Sequence, residues 1–453
     1  MTILLPMLRA GVLAVALALV GAPSALAQVG VLFNRTGSGA RAAGMANAFI
    51  GVSDDGTAAS WNPSGLAQLR KPELSVVSTT IGDTLVGAGF RTRDDLSAFS
   101  TLHSSYGETY PDFASLAVPV TLWGKPVTFQ AAWRRLYELD YREVVTFTRQ
   151  PLAEGAPPPL RLDANSDTLG SVDSASIAAA VRLTSRLSLG TSYHFWRGDW
   201  TESGIVSETP LDPPGAPRFG SVVQTNRLRG QSLTLGLMLA YPRFSLGLVY
   251  QSPLRSDYSN SVTVRVSDEP DAATRSLDGT LWFPRALGLG GAFRPGGHWT
   301  VALDLTWDDW SEALLDTPQT GRVNLFDNLP PDSTATRDTL SLNAGAERLF
   351  TGDGFVVPLR FGVALEPQGA RDPYTRDPVS YVMLALGTGY NTNSLKLDAA
   401  FQYRWTSFTT GADFGLGEST PLLPVTVILS PPMVGSVALL ARLPPPCTRV
   451  MVP

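Results

Sequence analysis

The chain has 453 residues, 44% of them hydrophobic and 17% charged, with 42 glycines, 35 prolines and a formal net charge of −5. Its single cysteine, Cys447, supports neither a disulfide scaffold nor a cysteine zinc module. Charged residues fall below the roughly one quarter usual in a globular chain, so much of the surface does not face water, and the acidic balance argues against nucleic acid as a partner.

Residues 1–27 read as an export signal peptide. Arg9 is the lone charge, Gly11 to Val20 is a short apolar core, and Ala25-Leu26-Ala27 supplies small residues for cleavage before Gln28. Pro6 and Pro23 bracket too few apolar residues to span a bilayer. Residues 28–71 have a different texture. Gly37 to Val52 is rich in small residues and suits a short helix, Asp54-Asp55-Gly56-Thr57 suits the cap of a second, and Asn62-Pro63 is expected to end it. That is too little chain for a domain of its own, so its economical place is inside the lumen of the larger downstream region, as a hatch.

From 72 to 443 no run of about 18 apolar residues occurs, and strict alternation takes its place. Trp299, Val301, Leu303, Leu305 and Trp307 form one face of a strand, and Thr300, Ala302, Asp304 and Thr306 the other. The same split runs through 232–241 and 395–405. Candidate strands fall near 73–90, 112–123, 126–148, 170–184, 187–200, 228–241, 244–252, 281–294, 298–308, 338–350, 356–366, 380–391, 395–406 and 433–443. Short turns such as Trp123-Gly124-Lys125-Pro126 and Asn391-Thr392-Asn393-Ser394 alternate with long polar stretches near 91–111, 149–169, 201–227, 253–280, 309–337, 367–379 and 407–432. An even strand number with short turns at one end and long loops at the other predicts an all-β fold. It is a fourteen-stranded antiparallel transmembrane β-barrel with a small N-terminal hatch in its lumen, seated in outer-membrane lipid. A soluble β-sandwich also alternates and is the competing fold. Trp299 and Trp307, eight residues apart on one face, lie about 20 Å apart along the membrane normal, close to the spacing of aromatic girdles.

Chemistry-bearing patterns are sparse. Gly37-Ser38-Gly39-Ala40-Arg41-Ala42 matches a loose dinucleotide loop, but Asn62-Pro63 interrupts the βαβ unit such a loop needs. The three histidines, His103, His194 and His298, have no nucleophile placed beside them, and the acidic residues from Asp308 to Asp338 fit no calcium loop. No enzyme activity, cofactor or metal is expected.

The segment Gly39-Ala-Arg-Ala-Ala-Gly-Met-Ala-Asn-Ala-Phe49, with Asp54-Asp55 and Trp61-Asn-Pro-Ser-Gly-Leu66, resembles the N-terminal hatch of FadL/TodX-type outer-membrane transporters of long-chain fatty acids and aromatic hydrocarbons. Phe283 to Phe293, Leu303 to Ser311 and Asn343 to Glu347 resemble that family's later barrel strands. The resemblance implies passive inward passage of hydrophobic small molecules through a plugged barrel, without nucleotide hydrolysis. The family's Asn-Pro-Ala hatch turn maps onto Asn62, Pro63 and Ser64, with serine in place of alanine. Such barrels usually end in an aromatic residue read by the barrel assembly machinery, whereas Pro444 to Pro453 forms a tail without one.

Within this reading Phe33, Phe49 and Trp61 are expected to line an apolar lumen pocket. Arg360 and Arg404 either meet a ligand carboxylate or form wall ion pairs with Asp398, Glu366 or Glu347. A second functional reading is a non-transporting barrel that docks exported proteins at the cell surface.

Overall fold

The computed structural model describes residues 37–442 apart from 82–83, 92–96, 107–108, 152–157, 268–271, 328, 372–377, 411–424 and 430–433. The expected signal peptide, Phe33, the tail at 444–453 and Cys447 lie outside these residues.

Antiparallel strands dominate. In chain order the wall is built from β1 (Glu73–Ile81), β2 (Thr109–Leu122), β3 (Lys125–Glu138), β4 (Leu160–Arg182), β5 (Leu187–Pro210), β6 (Arg218–Ala240) and β7 (Phe244–Gln251). It continues through β8 (Ala286–Phe293), β9 (Trp299–Asp308), β10 (Thr339–Thr351), β11 (Val356–Arg371), β12 (Pro378–Asn391), β13 (Leu395–Thr410) and β14 (Val434–Arg442). Each pairs with its neighbour in this order, and β14 pairs with both β13 and β1. At the β2–β3 turn Trp123 and Gly124 both take positive φ, 49° and 72°, the mirror-image hairpin geometry that matches strand twist.

The remaining strands extend the wall beyond the ends opposite the short turns. Residues 84–91, 97–106 and 141–151 pair in succession and join the first half of β4. Residues 254–266 pair with the first half of β6 and with 273–283, and the latter pairs with Leu314–Thr317.

Each alternating segment found in the sequence overlaps one strand of β1–β14, but several boundaries need correction. The single strand expected at 73–90 is two, broken after Ile81, and 126–148 is likewise two, broken after Glu138. The stretch 281–294 divides at Pro284, which has no N–H to give the ladder. The polar stretches near 149–169, 201–227, 253–280 and 309–337 carry strands, so β4, β5 and β6 each run past 20 residues. In these outer portions the buried face holds polar residues such as Gln224 and Asn226 beside Val206 and Val222, so backbone pairing persists without a strict apolar–polar alternation to announce it.

Side-chain direction separates the two faces of the wall. Val76, Leu116, Phe129, Ile177, Leu189, Leu237, Leu248, Leu289, Leu303, Leu342, Phe361, Leu386 and Leu397, one from each of β1–β13, are exposed on the outside. Their inward neighbours, such as Ser75, Ser115, Thr128, Ser245, Asp304, Asn343, Arg360 and Gln402, are buried. Apolar outside and polar inside inverts a water-soluble protein, and a continuous exposed apolar surface of this extent is the kind that contacts membrane or partner. No helix among the described residues is long and apolar enough to cross a membrane.

Candidate functional site

The segment 37–71 lies within the wall, toward the short-turn ends of the strands. It forms one helical turn, α1 (Ala40–Gly44), and two 3-10 turns, Ala58–Ser60 and Pro63–Gln68. Asn62-Pro63 thus starts a second turn as well as ending the first. Small residues allow this compact path, since Ala40, Ala42, Ala46, Ala48 and Ala58 are all fully buried.

Close approach to the wall depends on glycine. Met45 and Ala46 rest on Gly345 and Gly362, and a β-carbon at Gly345 would lie 2.5 Å from the Met45 carbonyl oxygen. One at Gly387 would lie 2.8 Å from Gly44 Cα, and one at Gly247 2.5 Å from the Ile50 carbonyl oxygen. These distances exclude any side chain, so backbone meets backbone across the interface.

Polar contacts then fix the segment on many sides. Asp304 on β9 accepts from the Phe49 and Ile50 amides at 2.6 and 2.7 Å. Asn343 on β10 donates to the Ala46 carbonyl at 2.8 Å, Gln402 on β13 to Ala43 at 2.9 Å, and Ser245 on β7 to Gly51 at 2.6 Å. Across the ring, Ser115 and Gln130 donate to the Gly56 carbonyl at 2.8 and 2.6 Å, and Arg182 to Ala67 at 2.6 Å. Side chains of the wall therefore satisfy backbone groups that this irregular segment would otherwise leave unpaired.

Charged groups form a chain through the same interface. Arg41 grips Glu347 in a two-bond fork at 3.0 and 2.9 Å and also bonds Asp54. Glu347 accepts in turn from Arg360 at 2.7 Å, and Arg360 reaches Asp398 at 2.7 Å. Arg404 pairs with Glu366 at 3.3 Å. Of the two alternatives for these arginines, the geometry is that of wall ion pairs, with Arg360 only 1% exposed. Gly56, whose amide bonds Glu73 at 2.6 Å, links the segment to the start of β1.

The other residues singled out from sequence fall in different surroundings. Asn62 is the hub of its turn: its side-chain oxygen accepts from the Ser64 hydroxyl and amide, and its nitrogen donates to Ile50 and, across the interface, to Leu237 on β6 at 3.2 Å. Pro63 and Ser64 are buried beside it. Phe49 is fully buried against Met45, Val52 and Trp61 and lines no open space. Trp61 contacts Phe49 edge-on at 6.0 Å, donates from its indole to Ser38, and borders a small recess together with Ile50, Val249, Gln251, Asp304 and Ser341. That lining is mixed, where an apolar one was expected. The apolar concentration lies farther along the strands, where Tyr137, Trp196, Leu228, Leu254, Phe283, Trp310 and Phe326 pack together. Trp310 and Phe326 come from the connection between β9 and β10, which folds inward over the end.

Sequence reading missed Asp304, Asn343, Gln402, Ser245 and the wall glycines. Their signal was present as polar or glycine residues at inward-phase positions, although alternation alone does not say what an inward side chain touches. Among the described residues no group of three or more His, Cys, Asp or Glu side chains is placed to hold a metal ion. His194 instead stacks on Trp196 and bonds Thr234 at 3.1 Å.

No known family profile matches the sequence. No curated protein does either. Solved structures share the fold. A Pseudomonas aeruginosa FadL homologue aligns over 91% of this chain and 100% of its own, at TM-score 0.58 and 16% identity. The P. putida toluene transporter TodX aligns over 90% and 99% at TM-score 0.58 and 14% identity. The Ralstonia pickettii toluene transporter TbuX aligns over 91% and 100% at TM-score 0.54 and 15% identity. The last two are described as toluene transporters.

Proposed function

We propose that the chain is a FadL/TodX-type outer-membrane transporter that admits hydrophobic compounds passively. In this reading β1–β14 are a fourteen-stranded transmembrane barrel spanning 72–443, residues 28–71 are its hatch, and 1–27 are a removed signal peptide. The ligand class is long-chain fatty acids or aromatic hydrocarbons, driven into the interior by apolar burial at about 25 cal/mol per Å².

The observation that carries the reading is how the hatch is held. A passive channel must stay shut to ions yet release its plug, and this plug is attached by single hydrogen bonds and one ion-pair chain, each replaceable by water. Fold likeness to structures described as toluene transporters and a FadL homologue supports the same reading. Within it, Trp61 and Phe33 contact the ligand, Asn62, Pro63 and Ser64 hold the hatch turn, and Phe49, Arg360 and Arg404 hold the hatch and wall in register.

The test is uptake of labelled fatty acid and of toluene by cells with and without the protein, alongside a variant lacking residues 37–60. Faster uptake with the intact chain, altered in the deletion, supports transport. Equal uptake in all three strains for both substrates rejects it in favour of a docking role.

A further inference from the structure

On β5 the outward side chains run Leu189, Thr191, Tyr193, Phe195 and then Arg197. Arg197 stands directly opposite Arg229 on β6, where the outward run is Leu237, Leu235, Leu233, Gln231 and Arg229. On the adjoining strand 254–266, Arg255 stands opposite Gln231. Arginines on three neighbouring strands therefore stand within one residue pair of a common height. Arg197 is ten residues beyond Leu187, which at about 3.3 Å per residue and about 40° of tilt is about 25 Å along the axis, the height of an apolar membrane band.

The charges at this height do not balance. Arg197 and Arg229 share one carboxylate, Asp199, at 2.8 and 3.2 Å. Arg227 lies one outward position farther on and is exposed; the other acids in register are Asp257, opposite Arg229, and Asp173, opposite Arg197, which Arg135 holds at 3.0 Å while also bonding Glu138. Five arginines thus meet four carboxylates. Like charges directly opposite one another on paired strands repel, so a further anion at this rim is favourable. Arg197 keeps 72% of its side chain exposed, leaving guanidinium donors directed outward. Arg255 lies 4.9 Å over the ring of Trp282, an aromatic–cation pair suited to a membrane boundary. Four strands farther round, Trp307 and Leu340 stand at comparable height, and the arginine there, Arg285 over Trp307, is paired one to one with Asp309 at 2.7 Å.

We propose that Arg197, Arg229 and Arg255 form a binding patch for the phosphate-bearing headgroup of an outer-leaflet lipid, its acyl chains lying on Phe195, Leu235 and Leu237. Two arginine forks converging at the upper edge of an exposed apolar surface match one lipid: charge at the rim, chains below it. The inference rests on the barrel reading, which places the long-connection end outward.

The experiment measures lipid retained by the purified full-length protein in neutral detergent, by native mass spectrometry, with bisphosphorylated lipid A and its dephosphorylated form as probes. The wild-type protein is expected to retain the phosphorylated probe selectively. The triple variant Arg197→Gln, Arg229→Gln, Arg255→Gln should lose about a hundredfold in retention, about fivefold per arginine, while Arg243→Gln at the short-turn end changes nothing. Equal retention of the dephosphorylated probe, full competition by equimolar inorganic phosphate, or wild-type retention in the triple variant each overturns the proposal. Heat-modifiable migration of the same preparations separates the two readings. Selective binding lost with migration intact in the triple variant supports the patch, and a wild-type protein with neither property overturns the barrel along with it.

Discussion

The interior toward the short turns is filled by chain that is not part of the wall, joined to it by hydrogen bonds to backbone and by glycine contacts. The interior toward the long connections is filled by the wall's own aromatic side chains and by the inturned Trp310–Phe326 connection, packed as an ordinary apolar core. The contrast separates two ways of closing a tube. Apolar packing loses its free energy progressively as area is exposed, whereas a set of directional bonds in a glycine-lined seat is lost as a unit when the seat is vacated, and water can take over each bond. The apolar region toward the long connections suits a fixed vestibule, and the bonded segment toward the short turns a removable part.

Five substitutions test whether the regions are independent. Glu347→Gln should have the largest effect, about 4 kcal/mol, because it leaves Arg360 and Arg41 with too little negative charge in a buried interface. Trypsin should then cleave after Arg41 in the folded protein, while fluorescence from the Trp196 and Trp310 cluster stays unchanged. A fluorescence shift would mean that the two regions are one unit. Trp310→Ala is the converse, costing about 3 kcal/mol through the cavity it leaves at the far end. It should lower the unfolding temperature without opening Arg41 to trypsin.

Smaller effects sharpen the comparison. Gly362→Val sets a side chain against Met45 and Ala46 and should cost about 2 kcal/mol by overpacking. The same change at Gly291, whose added β-carbon would find ordinary contact at 3.5 Å, should be nearly silent in the same proteolysis assay. Asn62→Ala should cost about 1 kcal/mol, through loss of the Leu237 and Ser64 bonds. Uptake should fall while the heat-modifiable species keeps its abundance. Unchanged uptake would falsify a gating role for this turn.

Alternation made the wall readable wherever one face is apolar: Trp299 to Leu305 and Leu395 to Phe401 expose the side chains their phase assigns outward. It failed where the buried face mixes polar and apolar residues, as Val222, Gln224 and Asn226 do. Residues 201–210 and 218–227 are strand without a pattern, held by the pairing of Thr201 with Thr225 and its neighbours along the ladder. The inward arginines were legible as charges that need partners, and Asp398, Glu366 and Glu347 were among the acids in phase to meet them. Which acid meets which arginine depends on the register of β10, β11 and β13, a property of pairing that no single strand carries. The seat of glycines was invisible for another reason. Gly345, Gly362 and Gly387 are ordinary strand glycines until the path of Gly44 to Ala46 is known.

Arg41 meets a partner 306 residues later in the chain, and the Ala43 carbonyl meets one 359 residues later. At about 5–20 residues per second, a ribosome needs on the order of 15 to 60 s to travel from Arg41 to Glu347. Throughout that interval Met45, Phe49 and Val52 have no wall to bury them, although they are among the first residues after α1 to be made. Order of manufacture and order of completion thus run in opposite directions, and a factor that shields nascent chain has its longest task at residues 37–71.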